Sequence, residues 1–539
     1  MTLGKAPAHE GLYRSSRTFC EQRLPEASIY RLLARESHRL FPDEAFADLF
    51  EDVGRQSIPP RIVSVVMTLQ RLEGLSDREA VERFTYDVRW KYAAGCLELD
   101  HPGFVHTVLV SMRARLRRSK RPNRIFEAVL EVAKRAGLVG RKRVVDSTAL
   151  YDAVATQDTV TLIRSAIRGL LEVVDPETEA RLRSVLKRDD DYIAAGKPSC
   201  DWNDEAAREA LVDALARDAY AVLAELDGER LAPEVREAAE LLTTVVGQDL
   251  EQREDGVFRI ARRVAEDRVI STVDPEARHG HKTAARGFDG YKGHIAIDPD
   301  SELITATAVT PGNTADGSAA EQVLTDVLAK PAEAPTCDAG AGERKPDAAD
   351  ETEPKEVYGD ASYGTADLVE RLEGTGVDPM VKVQSASPPH AGYYSHDDFA
   401  IDTAAGTVAC PMGIVVPLRV RGDGSRVALF GASCAGCTAR PRCTTSAKGR
   451  QVNVHPKHDT LARHRERQRG HEWRERYRST RPKIERKIAH LMSRRHGGRR
   501  ARMRGSTRIA QDLSLLAAAV NLRRLAVLGV RHRDSGWSA

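Results

Sequence analysis

The sequence predicts an α/β protein: a mixed-sheet core preceded by a helical domain and interrupted by two insertions. One insertion is large and helical and follows the first strand. The other is cysteine-rich and precedes the last helices. Three observations predict this. Short apolar or β-branched runs at 143–147, 291–298, 302–309, 356–360 and 379–383 read as strands. Helical periodicity fills 43–137 and most of 457–530. A long, charged, helix-periodic stretch without detectable repeats, roughly 150–270, separates the first strand from the second.

Residues 1–137 form the expected N-terminal helical domain, with a lead-in over 1–37 and a short helix near 26–36. Pro59-Pro60 can open a helix at its first turn, and Ile62, Val65, Val66 and Leu69 then recur at helical spacing. Ser76 and Glu79 make a capping box ahead of Ala80, Val81 and Phe84. The core is assigned to 138–150 and 281–404, and the helical insertion to 151–280. Within the insertion, Leu162, Ile163, Ile167, Leu170 and Leu171 share one face, and 207–226 provides another. Residues 291–298 and 302–309 alternate as hairpin strands about a turn at 299–301. A helix at 316–329 follows. A loop rich in Ala, Pro, Glu and Asp is expected at 330–355. Then come a strand at 356–360, a helix at 365–374 and a strand at 379–383. Residues 405–456 form the cysteine-rich segment, and 457–539 supply C-terminal helices that complete the core.

At 539 residues the chain can hold about three or four domains. Its formal net charge is only +3, but the charge is clustered. Residues 111–125 are basic, and in 461–508 arginine outnumbers acids about four to one, which suggests a polyanionic partner such as DNA. The acidic stretch 345–356 offsets part of this. No apolar run approaches the ~20 residues of a membrane span. Residues 1–17 carry no apolar core of the signal-peptide kind. The expectation is a soluble, cytoplasmic protein with no membrane partner.

With the helical insertion set aside, the element order is strand, strand, strand, helix, strand, helix, strand and a later helix. That is the order of a ribonuclease-H-like core. Such a core carries one acid on its first strand, one at the end of its fourth and one on the late helix. Asp146, Asp360 and Glu485 fall on those elements. Three convergent carboxylates can hold two hard divalent cations, Mg²⁺ or Mn²⁺, and such a pair can cleave and rejoin phosphodiesters. Each acid alone has a blander reading among 79 Asp and Glu. Asp146 could end a strand, Asp360 could cap a helix, and Glu485 could pair with Arg481 one turn away. Their joint placement favours the metal site.

Val-Val-Asp-Ser-Thr (144–148), Phe-Asp-Gly-Tyr-Lys-Gly-His (288–294), Val-Thr-Pro-Gly-Asn-Thr-Ala-Asp (309–316), Tyr-Gly-Asp-Ala-Ser-Tyr-Gly (358–364) and Thr-Arg-Pro-Lys-Ile-Glu-Arg (480–486) are short but specific together. They resemble the DDE transposases of bacterial insertion sequences, as do Arg504-Gly505 and Asn521 to Leu525, and residues 40–97 look like the helical domain these enzymes carry. The resemblance implies that Asp146, Asp360 and Glu485 are the catalytic, metal-holding triad. It implies double-stranded DNA as partner (transposon inverted repeats and target) and a homo-oligomer in the active complex. The family pattern Tyr-x2-Arg-x3-Glu-x6-Lys is kept at Arg481 and Glu485. Tyr477 stands one position early, and Met492 replaces the lysine, with Arg494 and Arg495 nearby. Arg481, Arg486, Lys487, Arg494 and Arg495 are the expected DNA contacts. Asp289, Asp316 and Asp338 are acids outside the triad; Asp289 begins the second strand and could support the site. The implied activity is metal-dependent strand cleavage and transfer. A nuclease without strand transfer, or an inactive DNA-binding regulator, are the alternatives.

Cys410, Cys434, Cys437 and Cys443 have the spacing C-x23-C-x2-C-x5-C, which can close a tetrahedral structural Zn²⁺ site. Unliganded thiols, or a site completed by His455, would leave the same pattern.

Overall fold

The computed structural model describes residues 15–329 and 354–539, apart from positions 52, 55, 154, 284, 285 and 423. The loop expected at 330–355 falls almost wholly outside these residues, as does Asp338.

The N-terminal region is helical. Its central helix α1 (Pro60–Glu73) starts with proline at its first turn and ends at Gly74, whose φ of +71° provides a left-handed stop. The expected capping box is present: the Ser76 hydroxyl accepts from the Glu79 amide, and the Glu79 carboxylate accepts from the Ser76 amide.

The core sheet is mixed. Its strands are β1 (Lys142–Tyr151), β2 (Arg278–Thr283), β3 (Arg286–Ile297), β4 (Ile304–Pro311), β5 (Lys355–Gly359) and β6 (Val377–Val381). The order is β2-β3-β1-β5-β6, with β4 also paired to β3. β3 runs antiparallel to β1 and β4, whereas β5 runs parallel to β1 and β6. Alternation along β1 sends neighbouring residues to opposite faces. Val144 packs in the large cluster with the C-terminal helices, and Val145 packs on the other side with α2 (Asp316–Val323) and α3 (Ala366–Gly374).

Several boundaries differ from expectation. β1 extends four residues beyond 147 because β3 pairs with it as far as Tyr151. At that crossing Gly290 has φ +136°, and a Cβ there would lie 2.3 Å from the Leu150 carbonyl oxygen. β4 begins at Ile304, since Glu302 has φ +57° and belongs to the turn. The helix expected over 316–329 is two short ones, broken at Leu324. In the insertion, the faces at 162–171 and 207–226 bury against each other and against Leu242, but a small hairpin (Leu250–Gln252 with Phe258–Ile260) also forms. The cysteine-rich segment is a five-stranded antiparallel sheet running from Ala400–Asp402 to Gln451–Val454.

Near the C-terminus come α4 (His471–Thr480), α5 (Pro482–Leu491) and α6 (Ser506–Val527). α6 is apolar almost all round and therefore buried. It packs between α1 and β4. Asn521 accepts from the Ile304 amide (2.9 Å) and donates to the Ile304 carbonyl (2.7 Å), pinning the start of β4. Among the described residues no helix is long and apolar enough to cross a membrane.

Candidate active site

Asp146 and Asp360 come together through strand register. β1 and β5 are parallel with Val144 opposite Tyr358. Two residues further on in each segment come Asp146, within β1, and Asp360, directly after the end of β5; neighbouring strands lie about 4.8 Å apart. Glu485 is in the first turn of α5, and α5 packs on β1.

All three acids converge on one side chain, Arg481. Its Nη2 lies 2.8 Å from Asp146 Oδ2 and 3.8 Å from Asp360 Oδ2, and its Nη1 lies 3.9 Å from Glu485 Oε1. The two aspartate oxygens are thus no further apart than those two contacts laid end to end. The Arg481 side chain is 8 % exposed, Asp146 14 %, Asp360 41 % and Glu485 64 %. The site therefore grades from a buried floor at Asp146 to an open rim at Glu485. Arg481 Nε and Nη1 are buried without a hydrogen-bond partner.

Burial raises the Asp146 carboxyl above its ordinary range, against the opposing pull of Arg481. Burial pulls Arg481 down, but Asp146, Tyr477 and Asp360 outweigh it and the net shift is upward. Local bonds fix the carboxylates. Asp146 Oδ1 accepts from the Ser147 amide (2.8 Å), and Asp360 Oδ1 accepts from the Ser362 amide (2.9 Å), which leaves each Oδ2 facing Arg481.

On the opposite face of β1, the Ser147 hydroxyl donates to Asp316 Oδ2 (2.8 Å), and Lys292 Nζ lies 3.0 Å from Asp316 Oδ1. This set locks the rotation of β1 and so the direction of Asp146. Sequence reasoning left Asp316 aside; strand alternation, which turns Ser147 away from Asp146, was the available signal. Beside it, His294 lies between Tyr363 (3.2 Å) and Thr310 (2.9 Å), and burial lowers its pKa to about 4.

The other expected contacts divide. Arg486 and Lys487 turn to Glu302, at 3.1 and 3.8 Å, and the Lys487 side chain is buried. α5 turns them away from Glu485, one and two residues before them, because residues three or four apart, not one or two, share a helix face. Arg494 and Arg495 are exposed and meet no carboxylate among the described residues. Asp289 does not join the triad: it pairs with His279 (2.7 Å) and accepts from Thr156 (2.5 Å) at the far end of β3.

Among the described residues, no three His, Cys, Asp or Glu side chains are set to close on a metal ion. In the triad the guanidinium of Arg481 occupies the common point. The donor set nevertheless suits a hard cation: three carboxylates, already gathered round a positive charge. Cys410, Cys434, Cys437 and Cys443 all line one small cavity of about 20 Å³, and burial raises the Cys443 thiol, with the three other thiols adding to the shift. They share a wall without drawing into a tetrahedral cage.

Family comparison gives two matches. Residues 409–526 match the Transposase DDE domain model, and residues 18–115 match the Transposase domain (DUF772) model. The first span contains the four clustered cysteines, Arg481 and Glu485; Asp146 and Asp360 lie outside both. No curated protein and no solved structure matches the chain. With a transposase domain matched towards each end, the two matches support a DDE-type insertion-sequence transposase.

Proposed function

We propose that this transposase binds the terminal inverted repeats of an insertion sequence, cleaves the strand at each end and joins it to target DNA. The reading assigns catalysis to a ribonuclease-H-like core built from 138–150, 281–404 and 457–539, DNA binding to 1–137, and activity to a homo-oligomer. The observation that carries it is the meeting of Asp146, Asp360 and Glu485, from three distant segments, at one buried cation.

Asp146, Asp360 and Glu485 would hold Mg²⁺ or Mn²⁺, which supplies an activated water and stabilises the leaving oxygen. The chain's own contribution is placement. The Ser147–Asp316–Lys292 set keeps Asp146 pointed at the site. The open rim at Glu485 gives a duplex access. Arg481 balances the carboxylates until a cation does so, and is then free to meet a phosphate in a forked geometry. Zn²⁺ on Cys410, Cys434, Cys437 and Cys443 is proposed as a structural pin, supported by their shared cavity.

The test incubates full-length protein with a labelled inverted-repeat end, a target plasmid and Mg²⁺. Joined products are expected from the wild type, and neither nicking nor joining from Asp146→Asn, with DNA binding retained. Nicking without joining would replace the reading by a hydrolytic nuclease. Undiminished cleavage by Asp146→Asn would remove the proposed metal site.

A further inference from the structure

Beside the carboxylates lies a cleft of about 440 Å³ whose walls carry Lys382, Arg465, Arg469, Arg474 and Arg478 against a single acid, Asp397. Helix geometry and strand ends bring these together. Arg474 and Arg478 are four apart on α4 and share a face. Lys382 follows β6 directly. Arg465 and Arg469 come from the preceding helix and its end.

Much of this charge is not neutralised. Asp397 serves Arg469 at 2.9 Å and Arg465 at 3.5 Å, and Glu466 takes the other arm of Arg469 at 2.7 Å. Arg474 donates from Nε and Nη2 to the backbone carbonyls of Gly470 and Arg469, contacts with neutral groups that leave its charge uncompensated. Arg478 and Lys382 are exposed and meet no carboxylate among the described residues. Like charges gathered round a concavity raise the local potential and draw in a polyanion.

The cleft is continuous with the site. The Tyr477 hydroxyl, on the cleft wall, donates to the carbonyl of Gly359 (3.2 Å), the residue before Asp360. Arg481 follows Tyr477 by one helical turn. Tyr477 also stacks on Trp473, with ring centroids 4.8 Å apart and planes 12° from parallel. Trp473 is only 9 % exposed, so that face is closed to a nucleobase. What the cleft offers is separated cations from three chain segments, not a stacking platform.

We propose that this cleft holds the sugar–phosphate backbone of the DNA strand that passes through the carboxylate cluster, taking phosphates next to the scissile one. The proposal rests on the transposase reading above and adds the strand's path. Contacts to phosphate position a duplex without reading its sequence, so binding here is sequence-independent.

The experiment measures duplex affinity of the full chain against NaCl concentration, in EDTA, using two labelled duplexes of unrelated sequence. The wild type is compared with the triple variant Lys382→Ala, Arg474→Ala, Arg478→Ala, and each single Gln variant is included in case the triple variant misfolds. Thermal midpoints check the fold. Each lost phosphate contact lowers the slope of log K against log salt by about 0.9. The triple variant is therefore expected to lose about two to three from that slope, with affinity falling equally on both duplexes. Unchanged slope and affinity in folded variants would overturn the cleft assignment and leave the transposase reading standing. A loss confined to one duplex would also overturn it, since that is base readout. A wild type that binds neither duplex would remove the transposase reading itself.

Discussion

Arg481→Met removes the one cation shared by Asp146, Asp360 and Glu485 while keeping an extended side chain. Two unit charges about 4 Å apart attract by about 4 kcal/mol at an effective dielectric constant of about 20. Asp146 is largely buried and 2.8 Å from the guanidinium, so it is the partner that suffers most. Deleting one member of a buried pair costs about 3–5 kcal/mol, because the other charge is left uncompensated. Protonation limits the damage to about 1.4 kcal/mol for each unit by which the pH exceeds the carboxyl pKa. Burial already raises Asp146, and losing Arg481 raises it further. A loss of about 3 kcal/mol near neutral pH follows. The sign of the pH dependence is fixed by the same shift. A carboxyl raised in the folded state binds its proton more tightly there, so its contribution is present at low pH and lost as pH rises through the folded value. The variant should therefore approach wild-type stability as pH falls below neutrality. Mg²⁺ should restore more stability to the variant than to the wild type, since no guanidinium contests the site. Urea unfolding monitored by tryptophan fluorescence, with Trp473 one turn from Tyr477, measures each quantity. A loss under about 1 kcal/mol near pH 7, where a buried pair should cost several times that, or equal Mg²⁺ responses, would refute the reasoning.

Gly290→Ala should lower the thermal midpoint, since a Cβ would strike the Leu150 carbonyl at a backbone angle that alanine resists; the penalty should exceed about 1 kcal/mol. Asn521→Leu should cost about 2–4 kcal/mol in urea unfolding, because the amide and carbonyl of Ile304 both lose their partner in a buried place. His294 should stay neutral to well below pH 6, its pKa being about 4, so its imidazole ¹⁵N shifts should be flat across the neutral range. The double variant Cys434→Ser, Cys437→Ser should purify without zinc while the wild type carries one per chain by native mass spectrometry; a zinc-free wild type would end that proposal.

The nearness of Asp146 to Asp360 was legible because each lies in or directly after a readable strand run, and parallel neighbours bring equivalent positions side by side, although β1 continues past Asp146 to Tyr151. Glu485 was legible only as a helix residue near both. That Arg481 bridges all three depends on how α5 docks on the sheet, which no local pattern encodes. Lys487 misled for a related reason. Its charge suggests solvent or phosphate, yet its long apolar stem is buried and its amine reaches Glu302. Of the small sheet in the cysteine-rich segment, the turn-forming residues at 421–425 marked the hairpin of Val415–Val420 with Arg426–Leu429, while the other strands, three or four residues long, carried too little pattern to read. The basic cleft was hidden because Lys382 and Arg478 are distant in sequence and become neighbours only after α4 packs. Four-residue spacing of Arg474 and Arg478 was visible, but a charge pair on a helix is usually just solvated.

β1 receives its last neighbour from far downstream. The Tyr151 amide donates to the Arg499 carbonyl, and the Ala501 amide donates to that of Tyr151, both at 2.8 Å, while α6 then seals the start of β4. During synthesis the first acid therefore emerges long before the segment that clasps its strand and the helix that brings Glu485. A ribosome-bound chain that has made Asp146 and Asp360 but not α5 holds an incomplete set of acids. On the proposed assignment, the capacity to cut DNA arrives only once α5 has been made and has docked on β1.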